Sequence, residues 1–491
     1  MAELLTNFRW ALDGSPQEML IEDGWVTWRR PAGGSLDGLP IARDLGGAEL
    51  VPGFIDAHCH ILPTGLDFAK LHLGQCSSRE AVIEAVASRH SELAPGEWLL
   101  AVHYDQTRFE DGVHLTAAEL DRVVPDRPVL LRHMNGHAGV ANRAALKLAG
   151  VGPDEPDPSG GAFVRDESGA LTGVLLERAL DQVAKATPEP NVEEMVDAIL
   201  AAGQAMHALG ITCATDMMTG YLDLEDELTA YRLASERGCP VRIRLFLQWS
   251  AVLGPKAMDP VRLTEHMAAL DPLRCRILGL KIFADGAIAS ATAAIYGGYA
   301  GQEAKTSGQL IYSPERLTSM VRVADEAGWR IAVHSIGDYS TDLVMDAFKE
   351  TGHGDRHRLE HAMILSDDQI ARLADLGCHV TMQPEFLVQN GRAYRRQLGP
   401  ERASRLKRAR SVLDAGIPLS FSSDRPIVAG SPVTGIAAAT HRPDGFDQSE
   451  NVTRKEAISA YTLGGAIANG DEGVMGSLNE GQVADWTLLP A

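Results

Sequence analysis

Residues 51–60 read Val-Pro-Gly-Phe-Ile-Asp-Ala-His-Cys-His. An apolar run follows a Pro-Gly break and ends in H-x-H. Side chains two apart on a strand share a face, so His58 and His60 can present two imidazoles to one metal ion. Cys59 turns the other way and reads as a small packing residue. Two solvent-facing histidines are the commoner meaning of an isolated H-x-H. The position at the end of an apolar strand favours ligands here.

Seven more short apolar runs follow that opening one, Val51–Ala57. They are Ile211–Asp216, Val241–Gln248, Ile277–Ala284, Arg330–His334, Arg358–His361, His379–Gln383 and Leu419–Ser423. Amphipathic helices with readable ends lie between most of them. Asn191 can cap a helix over Val192–Leu209 that Gly210 ends, with Val192, Met195, Val196, Ile199, Met206 and Leu209 on one face. Ser313-Pro314-Glu315 starts another. Ser366 opens one that Gly377 closes, and Thr453 with Glu456 has capping-box spacing. Eight such strands with crossover helices predict an α/β fold, a (β/α)8 TIM-like barrel that delivers every strand's C-terminal end to one face.

Two regions depart from the repeat. The first ~50 residues and the tail 476–489 read as short strands and turns, a small β module built from both termini. Residues 79–188, between the first and second strands, are too many for one crossover and predict an insertion with structure of its own. The expected organisation is a small β-sandwich of 1–52 plus 470–491, a barrel of 53–469, and the 79–188 insertion within it as a lid at the catalytic end.

The whole chain has 491 residues, 45% hydrophobic and 23% charged, enough for a large core and too apolar for a disordered protein. Its net charge, 45 − 66 = −21, argues against nucleic acid or anionic lipid as partners. The N-terminus shows no basic stretch followed by an apolar one, so no secretory signal is expected. The longest uncharged stretch, Ala198–Thr215, holds Gln204, His207 and two glycines and reads as a helix running into a strand, not a membrane span. The six cysteines are scattered without a C-x-x-C pair, which suggests reduced thiols and a cytoplasmic protein.

Polar residues mark the ends of the apolar runs. Lys281 lies inside Leu278–Gly286, where an amine is costly unless partnered or neutralised. A salt bridge to Asp285 or a reach to the barrel rim is the plainer alternative. His334, His361 and Asp424 end the fifth, sixth and eighth runs. Each alone could be a structural histidine or a helix-capping aspartate. Together with His58 and His60 they converge at one end of the barrel, and imidazoles with a carboxylate suit zinc or a similar divalent ion.

At this point the chain resembles the metal-dependent amidohydrolase superfamily, and within it the amidohydrolase family 3 (YtcJ-like) branch that includes N-substituted formamide deformylases. The stretches that carry the resemblance are VPGFIDAHCH (51–60), RHMNGHAGVANRAAL (132–146), GALTGVLLERA (169–179), KIFADGAIAS (281–290), HSIGD (334–338), RLEHA (358–362), MQPEFL (382–387), SSDRPI (422–427) and GSLNEGQVADWTLL (476–489). It implies the barrel with a small β-sandwich, and metal ligands at His58, His60, His334, His361 and Asp424. In relatives with two metals a carboxylated lysine bridges them at the position of Lys281, so one or two ions are both open. Asn135-Gly136-His137 and Glu177 lie in segments typical of this branch. His137 then binds substrate or stabilises a developing oxyanion, or else holds the insertion together.

The resulting expectation is a hydrolase that cleaves a C–N bond of amide, formamide or cyclic-amide type in a small molecule through metal-activated water, with Asp424 moving the proton. A deaminase, a metal-dependent lyase or isomerase, and a non-catalytic metal-binding relative are the alternatives, and a homo-oligomer is open. Eight basic residues lie between Arg392 and Arg410 (Arg392, Arg395, Arg396, Arg402, Arg405, Lys407, Arg408, Arg410). They read as a solvated helix face, with an anion-steering patch or a subunit contact as alternatives.

Overall fold

The computed structural model describes residues 2–134, 138–158, 161–300 and 306–490. Eight parallel strands form one sheet in chain order: β1 (Phe54–Cys59), β2 (Ile211–Thr219), β3 (Arg242–Gln248), β4 (Cys275–Phe283), β5 (Arg330–Ser335), β6 (Arg358–His361), β7 (His379–Met382) and β8 (Leu419–Phe421). Beyond the last ladder pair, β8 approaches β1 through Asp424 N donating to His58 O at 2.8 Å and His60 N donating to Arg425 O at 2.9 Å. The barrel is thus nearly closed, and all eight expected strands are present. The first begins later than expected because Val51 and Pro52 belong to another strand, Glu49–Pro52. Gly53 makes the break: it donates to Asp485 O at 2.7 Å, and a Cβ there would lie 2.1 Å from Thr212 Oγ1.

The helix ends follow their sequence signals. Val192–His207 is capped reciprocally by Asn191 and Glu194. Its buried stripe includes Met195, Val196, Ile199 and Met206, each worth about 1.5–3 kcal/mol relative to exposure. Ser313 caps Pro314–Glu326, Thr453 and Glu456 form a capping box, and Ser366 with Gln369 forms another. Gly377 closes that last helix at φ 65°.

The termini meet in one mixed six-stranded sheet. Its order is Trp486–Leu488, Glu49–Pro52, Ala2–Trp10, Pro16–Glu22 and Trp25–Pro31, with Ala42–Asp44 on the side of Ala2–Trp10. The tight turn at Asp23-Gly24 has φ of 49° and 84°, the left-handed pair a two-residue hairpin loop needs. Leu5, Phe8, Trp10, Met19, Val26 and Leu50 of this sheet form one apolar cluster with Leu478.

Residues 65–194 form a separate compact unit, wider than the insertion expected at 79–188. Its own six-stranded sheet has Leu171–Glu177, Ala138–Ala141, Val129–His133 and Leu99–Tyr104 at the centre. Two apolar clusters hold it, one around Leu99, Leu120 and Val140, the other around Leu130, Leu146 and Leu180. Among the described residues no helix is long and apolar enough to cross a membrane. All six cysteines are free, and Cys59 is fully buried with Sγ against Thr215 O.

Candidate metal centre

Six of the polar residues singled out above converge at the C-terminal ends of β1, β4, β5, β6 and β8. Potential ligand atoms of His58, His361 and Asp424 all lie within 4.8 Å of one another. The His58 ring sits 5.7 Å from that of His60 and 4.7 Å from that of His361, centre to centre. His334 and His361 are 4.5 Å apart by the same measure. Asp424 Oδ1 is 2.9 Å from His60 Nε2 and 3.4 Å from His58 Nε2. The Lys281 amine lies 3.4 Å from His58 Nε2.

These groups are crowded yet incompletely hydrogen-bonded. His60 Nδ1 and Asp424 Oδ1 are buried without a hydrogen-bond partner. Burying unpaired polar atoms is costly, and a cation held among His58, His361 and Asp424 would satisfy the Asp424 oxygen. The donor set, imidazole nitrogens with a carboxylate, is one that zinc and its neighbours accept. The residues therefore fit a divalent metal.

Neighbouring groups decide which imidazole nitrogens are free to bind it. His58 Nδ1 donates to Glu360 Oε2 at 2.6 Å, which leaves the Nε2 lone pair turned toward Lys281 and Asp424. His334 Nε2 donates to Gly286 O at 3.0 Å, leaving Nδ1. His361 Nδ1 meets Gln383 Oε1 at 2.9 Å, leaving Nε2. Burial, helped by the charge of Lys281, pushes His334 down to about 3. Burial holds His361 well below the usual imidazole range, so both rings are neutral, as ligands must be. Burial would raise the Asp424 carboxyl, but the surrounding histidines outweigh it and hold it well below the carboxylate range. The Lys281 amine, 1% exposed, is pushed down to about 8 by burial, against the pull of Glu360 and Asp424.

Three further buried carboxylates fix the strand ends. Asp285, after β4, accepts from the Ile336 and Gly337 amides, the Ala294 amide and the Ser340 hydroxyl, tying the segments after β4 and β5 together. Asp216 on β2 accepts from the Ile61 amide at 2.6 Å and the Tyr231 hydroxyl at 2.7 Å, pinning the turn after His60. Asp56 accepts from the Ser423 amide at 2.9 Å, holding β1 beside the approach to Asp424.

Two sequence expectations need correction. Among the described residues, Lys281 has no ion pair to Asp285, whose oxygens are taken by four donors; it faces His58 and the Phe283 ring instead. The basic segment 392–410 is not a uniformly solvated helix face. Arg402, Arg405, Arg408 and Arg410 pair with Asp338, Asp367, Glu450, Asp414 and Glu456, and Lys407 is 2% exposed. Arg392, Arg395 and Arg396 lie on the helix Phe386–Leu398, two short helices follow it, and the turn between those two carries Lys407 inward.

The other two candidates lie in the 65–194 unit. His137 falls outside the described residues. Glu177 ends the strand Leu171–Glu177, exposed, at φ 49°. Sequence reasoning missed Glu360, which holds His58, and Gln383, which meets His361. Glu360 did carry a signal: Arg358 and Glu360 are charged residues two apart on an apolar strand, as improbable unpartnered as Lys281.

The amidohydrolase family model matches residues 42–491. YtcJ of Bacillus subtilis is 32% identical over 456 residues, 91% of this chain and 84% of that protein. The N-substituted formamide deformylase of Arthrobacter pascens is 29% identical over 467 residues, 91% of this chain and 84% of that enzyme. A crystal structure of an uncharacterised metal-dependent hydrolase from Pyrococcus furiosus superposes with a TM-score of 0.81 at 26% identity, covering 100% of this chain and 99% of that one.

Proposed function

Because the chain belongs to the amidohydrolase family, we propose that it is a metal-dependent hydrolase that cleaves a carbon–nitrogen bond of amide, formamide or cyclic-amide type in a small molecule. One observation carries the reading: ligand atoms of His58, His361 and Asp424 within 4.8 Å of one another at the ends of three barrel strands. The likeness to a formamide deformylase supports the bond type.

In this proposal His58, His60, His334, His361 and Asp424 hold the metal, with zinc the ion best suited to them. Lys281 stands where a carboxylated lysine bridges two ions in two-metal relatives. Carboxylation would join the amine to CO2 with loss of a proton, and the buried amine's lowered proton affinity favours the neutral form that reaction needs. When bound, the ion supplies Lewis acidity to a water molecule and to the substrate carbonyl. Asp424 accepts the proton of the attacking water at a carboxylate oxygen and returns it to the leaving nitrogen, because an amine anion departs poorly. Glu360 accepts the Nδ1–H of His58 and so leaves Nε2 as the nitrogen turned toward the metal. His137 and Glu177, in the 79–188 insertion, are assigned to substrate recognition. Residues 1–52 with 470–491 are assigned to a supporting β-sandwich.

The test is elemental analysis of the purified protein followed by turnover on formamides, N-acyl amines, cyclic imides and aminated heterocycles. Release of amine plus acid, or ring opening of an imide, is expected. Ammonia release from aminated heterocycles alone, or no turnover by metal-replete protein, would overturn it.

A further inference from the structure

Lys407 is a buried lysine that takes no part in the cluster of proposed metal ligands. It sits in the turn between the helices Pro400–Ser404 and Ala409–Asp414, at φ 55°, a backbone region that side-chain-bearing residues enter only when their surroundings demand it. Those surroundings hold it at both backbone ends: its amide donates to Met363 O at 3.0 Å, and its carbonyl accepts from Arg442 Nη1 at 2.7 Å. The side chain reaches inward, 2% exposed, and Nζ donates to two acceptors, His361 O at 2.9 Å and Gln383 Oε1 at 2.7 Å. Among the described residues no carboxylate lies within ion-pair distance of it.

The Gln383 amide has one arrangement here. Its orientation is set from the far side, where the Ser422 hydroxyl accepts from the amino group and leaves the amide oxygen facing Lys407. The Gln383 amino group faces Ser422 Oγ at 2.9 Å, and that hydroxyl donates to Met382 O. The oxygen is also 2.9 Å from His361 Nδ1, so Nδ1 must carry a hydrogen and donate it. The Nε2 lone pair of His361 is then the one left for a metal. Phe386 stacks over the same ring at an interplanar angle of 14°. His361 is thereby fixed in tautomer by Gln383 and in tilt by Phe386, while Lys407 pins the Gln383 oxygen to the His361 backbone.

We infer that Lys407 and Gln383 are positioning residues of the metal centre, a clamp that presets the tautomer and orientation of His361 before the ion arrives. The inference rests on the metal-binding reading proposed above. Outer partners of this kind change metal affinity by about 10–100-fold when removed. Both side chains are buried, and their hydrogen bonds run to His361 and its support, so the effect belongs in affinity for the ion.

The experiment strips the full-length protein with a chelator and measures zinc dissociation constants by competition with a chromophoric chelator, for wild type, Lys407→Met, Gln383→Met and Gln383→Glu. The apoproteins are melted in parallel, and the visible spectrum of cobalt(II)-loaded protein is recorded. Lys407→Met and Gln383→Met should each weaken zinc binding by about 10-fold or more. Both should also alter the cobalt spectrum. Gln383→Glu keeps an acceptor for both donors and should stay within about threefold of wild type. If Lys407→Met does not fold, Gln383→Met carries the test with Gln383→Glu as its rescue. Wild-type affinity in Gln383→Met, or equal loss in Gln383→Met and Gln383→Glu, overturns the clamp while leaving the metal reading intact. A wild-type protein that takes up no zinc overturns both.

Discussion

Glu360→Gln should damage two properties at once, and the structure separates them. The Glu360 carboxylate, wholly buried, accepts from Arg358 Nε at 2.8 Å and Nη2 at 3.2 Å and from His58 Nδ1 at 2.6 Å. Arg358 is equally buried, and its remaining contacts are neutral: Ala57 O, Thr381 Oγ1, Ala468 O and Asn469 Oδ1. Removing the one negative charge leaves a guanidinium buried without its counter-ion, which costs about 3–5 kcal/mol. The amide also aims an N–H group where a second acceptor is needed, so His58 loses its fixed tautomer and zinc affinity should fall by about 10–100-fold. Burial would raise the Glu360 carboxyl, but Arg358 and His58 outweigh it and hold it well below the usual range. A depressed folded value means stability present above the unfolded carboxylate pKa, about 4.3, and lost as pH falls below it toward the folded one. The deficit of Glu360→Gln against wild type should therefore be full at neutral pH and shrink only in strong acid. Urea unfolding of the metal-free proteins across pH measures the first effect, and chelator competition measures the second. The double variant Arg358→Met with Glu360→Leu removes both charges and should recover much of the stability but none of the affinity. A single variant within about 1 kcal/mol of wild type would refute the claim that the buried Arg358 guanidinium depends on Glu360 for its charge balance.

The remaining expectations concern the ion itself. The His58→Ala, His60→Ala double variant should lose most of its bound metal by elemental analysis, and full metal content would remove these histidines from the site. Asp424→Asn keeps size and part of the ligating ability but not the proton acceptor. It should lose at least about 10²–10⁴-fold in kcat while folding normally, and normal kcat in folded, metal-loaded protein would move the base elsewhere. Lys281→Ala should hold one ion per chain or fewer if the lysine bridges two. A wild type that never exceeds one ion, with a free amine in its density map, would reduce Lys281 to a buried structural lysine.

The barrel was legible because its signals are local and repeated. Each strand is a short apolar run, each crossover helix has a cap such as Ser366 or Thr453, and a parallel barrel needs little more than their alternation. The polar residues at strand ends were legible for the same reason. A histidine that finishes an apolar strand has its direction set by the strand, and closure of the barrel brings those directions together. The start of β1 was read too early because Val51 and Pro52 look like strand, which they are, but of a different sheet. Only the close approach of Gly53 to Thr212 in three dimensions separates the two.

Glu360 and Lys407 show where that legibility stops. Glu360 lies on β6, so its side is predictable from register, and the cost of burying a charge there flags it once Arg358 is noticed two residues away. Lys407 has no such frame. Its neighbours Arg405 and Arg408 pair with the exposed Asp367, and nothing in the local run of basic residues singles out Lys407 as the one whose amine reaches His361 and Gln383. The inward turn is set by contacts distant in sequence: Met363 holds its amide, Arg442 its carbonyl, and His361 and Gln383 its amine. A strand residue inherits its partners from register, whereas a loop residue inherits them from the path of the whole chain. The proposed ligands of this centre therefore belong to the legible class, while Lys407, one part of the clamp proposed to orient them, does not.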